Sequence, residues 1–321
     1  MCTSIKVDYD GGSVMGRNMD LDMDIDYSVL YYPVGCEYSQ DLYNNPLVNK
    51  YKMLGVCFRN MNPLKDGVNE HGLMGTTNMF YAMNLFSGQV EPGKINLDSL
   101  NYFNYCLANY KTCQELVADL PNIHISKKDY LGNKAITPDF HYYFVDALGD
   151  SVVIEPTNKK LTAYENKYKV MTNSPPLDHH ARKLEETIAP KNGRRFHPAK
   201  DLPGGYDPVS RFIKAYYLNE NIANAVTRAD ALENTYSILE ALKIPEAFTK
   251  TKFDYTYTKY MTAYDSQSRL LTIRSHMNPR IYSLSIDDVA HLTSRTQFLI
   301  PQDIQLEPLS TGSAKPQKGS L

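Results

Sequence analysis

The chain has 321 residues, 42% of them hydrophobic, with 34 basic side chains against 36 acidic ones and a formal net charge of −2. That length supports one large domain or two smaller ones, and the near-balanced charge argues against nucleic acid or an anionic membrane surface as partner. The five cysteines, Cys2, Cys36, Cys57, Cys106 and Cys113, form neither a disulfide framework nor a C-x-x-C zinc motif, so they are read as free thiols in a reducing cytoplasm, with no metal and no cofactor.

The first residues read as a hairpin. Ile5, Val7 and Tyr9 alternate along 3–9, Asp10-Gly11-Gly12 supplies a turn, and 13–18 returns as the partner strand. Segments 27–34 and 51–58 read as further strands. A turn at Asn69-Glu70-His71-Gly72 precedes an extended stretch through Phe80. Leu100, Phe103, Leu107 and Tyr110 recur at helical spacing, and Thr112-Cys113-Gln114-Glu115 matches a capping box that opens a second helix to about 120. Cys106 and Cys113 then fall on buried or half-buried helix faces.

A second β region follows at 140–146, 151–155, 160–164 and 169–172. Residues 179–189 are helical in character, and 191–205 read as a loop rich in Gly, Pro and basic residues. Asp207 before Pro208 is a good N-cap for a helix through 218. Another helix covers 228–242, and strands are expected at 255–264, 269–275 and 280–286. The polar tail 310–321 is expected to be disordered. Two batches of strands with helical pairs between them predict an α+β fold of stacked antiparallel sheets, not a parallel βαβ array.

Two rival readings are rejected on chemistry. His179-His180 resembles a metal pair, but neighbours on a helix point apart, so a solvated face is expected. Asp20, Asp22, Asp24 and Asp26 alternate like a calcium loop but lack its glycine and terminal glutamate.

The start of the chain carries the chemistry. Removal of Met1 leaves Cys2 with a thiol and an amine on one residue. A free thiol is mostly protonated at pH 7, with a pKa near 8.5. A terminal amine, with a pKa of about 7.7–8.0, is a competent base beside it. The hairpin brings Gly16-Arg17-Asn18-Met19-Asp20 back toward Cys2, so Arg17 is expected beside the sulfur and Asp20 beside the amine.

With these residues, the sequence resembles the choloylglycine hydrolase family, the bile salt hydrolases and penicillin V acylases, which are cysteine N-terminal-nucleophile hydrolases. Met1-Cys2-Thr3-Ser4 and Gly16-Arg17-Asn18-Met19-Asp20 are followed in order by Asn69-Glu70-His71-Gly72-Leu73. Strands ending in Val152-Val153-Ile154-Glu155, then Thr172-Asn173-Ser174-Pro175, then Leu202-Pro203-Gly204-Gly205-Tyr206-Asp207-Pro208-Val209-Ser210-Arg211-Phe212 complete the set. The resemblance covers residues 1 to about 290. It implies a four-layer αββα fold, one domain over 1–308 with a tail at 309–321, and hydrolysis of a non-peptide C–N amide bond through a Cys2 thioester.

The resemblance also implies residue roles. Cys2 is nucleophile and, through its amine, base. Arg17 and Asp20 organise it, Asn173 donates to the oxyanion, and Arg211 supports the charged site. The second oxyanion position falls within Gly75-Thr76-Thr77-Asn78-Met79-Phe80-Tyr81, with Asn78 as candidate. Met23, Phe58 and Ile136 are expected to line the acyl pocket. The expected substrate is a small amide with an apolar acyl group, a glycine or taurine bile salt, with penicillin V as alternative. An inactive binding protein on the same scaffold is the non-enzyme alternative. A homo-oligomer, dimer or tetramer, is implied, although the segment between Asn173 and Arg211, where the family carries an assembly hairpin, is short here.

Overall fold

The computed structural model describes residues 1–304, 306 and 308, apart from 24, 60, 84–85, 136, 158, 191–193 and 251–254. The expected tail therefore lies outside the described residues.

The N-terminal hairpin forms as its pattern requires. Cys2–Tyr9 and Gly12–Leu21 run antiparallel. Gly11 takes φ +94 in the turn, a conformation that an L side chain rarely adopts. The register sets Cys2 opposite Met19, Thr3 opposite Asn18 and Ser4 opposite Arg17. Because side chains alternate, Cys2, Ser4, Arg17 and Met19 share one face, and Thr3, Asn18 and Asp20 share the other.

This hairpin sits inside the first sheet. Its strand order is Val170–Met171, Cys2–Tyr9, Gly12–Leu21, Tyr255–Asp265, Leu270–Ser275 and Tyr282–Ser285, and all pairings are antiparallel. Among the described residues the second sheet has eight strands: Lys160–Glu165, Ser151–Thr157, Phe140–Val145, Met74–Met79, Leu64–Asn69, Met53–Phe58, Tyr27–Tyr32 and Thr296–Leu299. It too is antiparallel throughout.

Between the sheets, Met15 and Met19 of the first lie in one buried cluster with Val29, Leu54, Val56, Val68 and Tyr143 of the second. Truncating such a residue costs about 2–5 kcal/mol, because the close-packed interior relaxes only partly around the void. Outside the first sheet lie the helices Leu177–Ile188, Pro208–Asn221 and Arg228–Ala241. Gly16 makes close approach possible there, since a Cβ would collide with Thr235. Outside the second sheet, Ser99–Asn109 and Cys113–Asp119 pack Phe103, Leu107 and Leu116 against Tyr142 and Phe144. The layers are thus helix, sheet, sheet, helix, as expected.

The boundaries differ from expectation in instructive places. Leu64–Asn69 is a central strand that the sequence reading passes over, because Lys65-Asp66-Gly67 has poor strand propensity. Thr296–Leu299 closes the second sheet beyond the last expected strand. Within the expected 191–205 loop, Pro198–Asp201 forms one helical turn. The Asp207 cap holds, with its carboxylate accepting from Ser210 N at 3.0 Å. The Thr112 box is half formed: Thr112 accepts from Glu115 N, whereas Glu115 reaches back to Lys111 N at 2.7 Å.

Candidate active site

Cys2 lies at the edge of a cavity of about 560 Å³ between the ends of the two sheets. Met19, Leu21, Ile25, Met79 and Phe140 contribute apolar wall. Met23 and Phe58, both expected in the acyl pocket, line it, while Ile136 lies outside the described residues. All five cysteines are free, and Cys106 and Cys113 are buried.

Arg17 crosses the gap between the sheets. Its Nη2 donates to Cys2 Sγ at 3.6 Å and to the Thr77 carbonyl. Its Nη1 donates to Lys65 O at 2.8 Å and pairs with Asp66 Oδ2 at 2.5 Å. Both members of that ion pair are buried. Asp66 in turn accepts from Tyr260 Oη at 3.0 Å and from Tyr264 Oη. Burial and the Asp66 charge push both phenols well up, so they donate as neutral hydroxyls. Burial opposes the charge on Arg17, but the Cys2 sulfur and Asp66 more than offset it and hold the guanidinium above its ordinary range.

The opposite face of the hairpin carries a second cationic group. Arg211, in the first turn of Pro208–Asn221, is fully buried. It donates to the Cys2 carbonyl, to Thr3 Oγ1 at 2.6 Å and to Asn173 Oδ1 at 2.8 Å. Burial pulls its pKa down, against Asp20 and Cys2. Asp20 is buried, with Oδ1 accepting from Thr258 Oγ1 at 2.6 Å and Oδ2 without a hydrogen-bond partner among the described residues. Burial pushes the Asp20 carboxyl up, against the pull of Arg211 and the chain terminus.

Met1 precedes Cys2 in this structure. Its amino group donates to Asp20 O at 2.7 Å, and its carbonyl accepts from Asp20 N at 3.0 Å. Cys2 N donates to Asn173 Oδ1 at 2.7 Å. Asn173 Nδ2 donates to Met79 O at 2.9 Å, which leaves one amide hydrogen uncommitted by these contacts. Below it, His180 Nε2 meets Asn173 O at 2.8 Å, and the ring stacks on Phe212. His180 is buried, not on the solvated face expected for the His179-His180 pair, and burial brings it down to about 4.

Asn78 does not face the cavity. Its Nδ2 donates to Met171 O at 3.2 Å and Thr172 O at 2.8 Å, and its Oδ1 accepts from Ser4 Oγ at 3.3 Å. The side chain is consumed in tying Met74–Met79 to the first sheet. The next residue is better placed. Phe80 N donates to Asp139 O at 2.7 Å, so Met79, opposite Phe140, occupies a non-hydrogen-bonded position against Phe140–Val145. Its backbone N–H is therefore aimed away from that strand, along the edge where Asn173 meets its carbonyl.

The structure thus brings Cys2, Arg17, Asp20, Asn173 and Arg211 into one cluster and sets Asn78 apart. Sequence reasoning missed Asp66, Thr258, Tyr260, Tyr264, Met79 and His180. Tyr260 and Tyr264 carried a usable signal, since residues four apart on a strand share a face. Asp66 carried little, because its strand was not recognised.

Fold and site define an N-terminal-nucleophile hydrolase architecture built around an N-terminal-proximal cysteine. The chain belongs to the choloylglycine hydrolase family of linear amide C–N hydrolases, whose family model matches residues 2–297, and it is a linear amide hydrolase of that type. It is 28% identical over 288 residues to a bile salt hydrolase/transferase of Clostridium perfringens, covering 81% of this chain and 86% of that one. A mutant conjugated bile acid hydrolase from the same organism superposes with a TM-score of 0.84 at 22% identity, over 97% of this chain and all of the other. Penicillin V acylase from Agrobacterium tumefaciens superposes with a TM-score of 0.75 at 20% identity, over 90% and 87%.

Proposed function

We propose that removal of Met1 makes Cys2 the N-terminal residue, and that Cys2 then deconjugates bile-salt-like N-acyl amides through a thioester. The observation that carries this reading is Cys2 Sγ at the mouth of an apolar cavity, 3.6 Å from a fixed guanidinium. The unpartnered Asp20 Oδ2 supports it. A buried carboxylate oxygen without a donor is costly, and a freed α-ammonium supplies one. Loss of Met1 also widens the cavity that it lines.

In this scheme the thiolate attacks the amide carbonyl, and a C–S bond forms. Asn173 and the Met79 backbone N–H donate to the oxyanion. The protonated α-amine passes its proton to the leaving nitrogen, and the C–N bond breaks to give the thioester and a free amine. Water, deprotonated by the α-amine, then attacks the thioester, the C–S bond breaks, and the carboxylic acid leaves. Arg17 holds charge beside the sulfur throughout, and Arg211 fixes the Cys2 carbonyl and Asn173.

The apolar walls and the size of the cavity suit a steroid acyl group. Phe58, Tyr81 and Phe140 in the lining suit a phenoxyacetyl group and favour penicillin V as second reading. Glycocholate, taurocholate and penicillin V assayed side by side separate the two. Intact mass before and after iodoacetamide tests the shared premise: loss of Met1 and a single fast-labelling thiol are expected. A chain that keeps Met1, or full turnover by Cys2→Ser, refutes it.

A further inference from the structure

Lys65 opens the Leu64–Asn69 strand and is 3% exposed, yet it lines the cavity that holds Cys2. Its backbone is pinned on the catalytic side: Lys65 O accepts from Arg17 Nη1 at 2.8 Å and from Thr77 Oγ1 at 2.9 Å. Its Nζ stands 4.9 Å from the centre of the Phe58 ring. Among the described residues Nζ makes no hydrogen bond and no ion pair. The nearby carboxylate of Asp98 is already spent, accepting from Asn101 N at 2.8 Å and Asn101 Nδ2 at 2.7 Å. Arg17, the other close charge, has the same sign. Burial, with Arg17, brings the Lys65 ammonium down to about 8.

A buried ammonium facing apolar wall is costly unless something pairs with it. The ring of Phe58 supplies a weak cation–π contact but no acceptor lone pair. A ligand oxygen meets the need, and a carboxylate meets it best, because charge-assisted hydrogen bonds are about twice as strong as neutral ones. The cavity that Lys65 lines is also walled by Phe58, Met61, Leu100 and Pro138. Such a wall receives the apolar half of a substrate, not its polar amine.

We infer that Lys65 is a specificity-determining residue that selects N-acyl amides whose acyl group carries an acceptor oxygen away from the scissile bond, a carboxylate by preference. This rests on the proposed Cys2 reading and adds to it a class of acyl group.

Three probes share a glycine leaving group: decanoylglycine, 10-hydroxydecanoylglycine and 9-carboxynonanoylglycine. Their kcat/KM values are compared in the wild-type chain, Lys65→Met and Lys65→Arg. The ratio of carboxylated to plain substrate is expected to fall at least tenfold in Lys65→Met, mainly through KM, and to be largely kept in Lys65→Arg; the hydroxylated probe falls between. An unchanged ratio overturns the inference and makes Lys65 a structural partner of Phe58. So does a Lys65→Met effect that follows glycine against glycinamide as leaving group. Should no amide be cleaved, the function proposal fails by itself. Calorimetric binding of decanedioate against decanoate to the wild-type chain and to Lys65→Arg and Lys65→Gln then still reads Lys65, and equal preference in all three overturns it.

Discussion

Asp66→Asn is the most searching test of how the site is held. The change keeps the shape of the side chain, removes the charge that faces Arg17 and turns one of the two acceptor oxygens into an amide donor, so the oxygen serves one tyrosine hydroxyl and the other must turn to accept. Arg17 then stays buried at 1% exposure, with the carbonyls of Lys65 and Thr77 and the Cys2 sulfur as its remaining partners. Breaking a buried ion pair from one side costs about 3–5 kcal/mol, because the surviving charge is left desolvated. The lower end applies here, since those neutral acceptors remain, so a loss of about 3 kcal/mol is expected in urea unfolding. In Arg17→Met/Asp66→Asn no charge is stranded, so the double variant should lose less than the sum of the singles by at least about 1.5 kcal/mol. Activity should behave differently. Asp66→Asn should lower kcat/KM by about 100-fold, equivalent to about 2.7 kcal/mol, and slow iodoacetamide labelling of Cys2; the double variant should regain stability but no turnover. Strict additivity of the stabilities, or an Asp66→Asn enzyme that labels and turns over like the wild type, refutes the argument.

Asn173→Ala should lower kcat by about 10²–10³-fold, the usual cost of losing one oxyanion donor, while Asn78→Ala should register chiefly as lost stability, about 1–3 kcal/mol in chemical unfolding. Met79→Ala should alter KM more than kcat, since the backbone N–H is kept and only wall area is lost; a kcat loss equal to that of Asn173→Ala contradicts that assignment. His180 titrates near 6.5 in the unfolded chain but only at about 4 in the fold. The unfolded state therefore takes up its proton first, and stability is lost as pH falls from 6.5 toward 4, by on the order of 3 kcal/mol. His180→Gln should flatten that acid limb in thermal melts between pH 4 and pH 7.

What could be read from the chain followed the range of the interactions. The hairpin that joins Cys2 to Arg17 is local: alternation and a Gly-rich turn fix its register within twenty residues. Asn173 and Arg211 lie far along the chain, and on their own they read as a turn residue and a helix charge; only the ordered motifs of a family set them beside Cys2. The Asp66 anchor escaped because Lys65-Asp66-Gly67 looks like loop sequence, and tertiary packing overrides that local preference. The Asn78 side chain turns to the facing sheet, while its neighbour Met79 lines the cavity. On a strand, one residue turns a side chain to the opposite face.

The reach of Arg17 from one sheet to the other makes a single side chain the gauge of the spacing between the layers. Any substitution deep in the sandwich that slides one layer against the other must stretch that span, wherever it lies. Turnover should therefore report distant core damage before the molecule melts, and remote suppressors of a weakened variant should be found among residues that restore layer alignment, far from the sulfur itself.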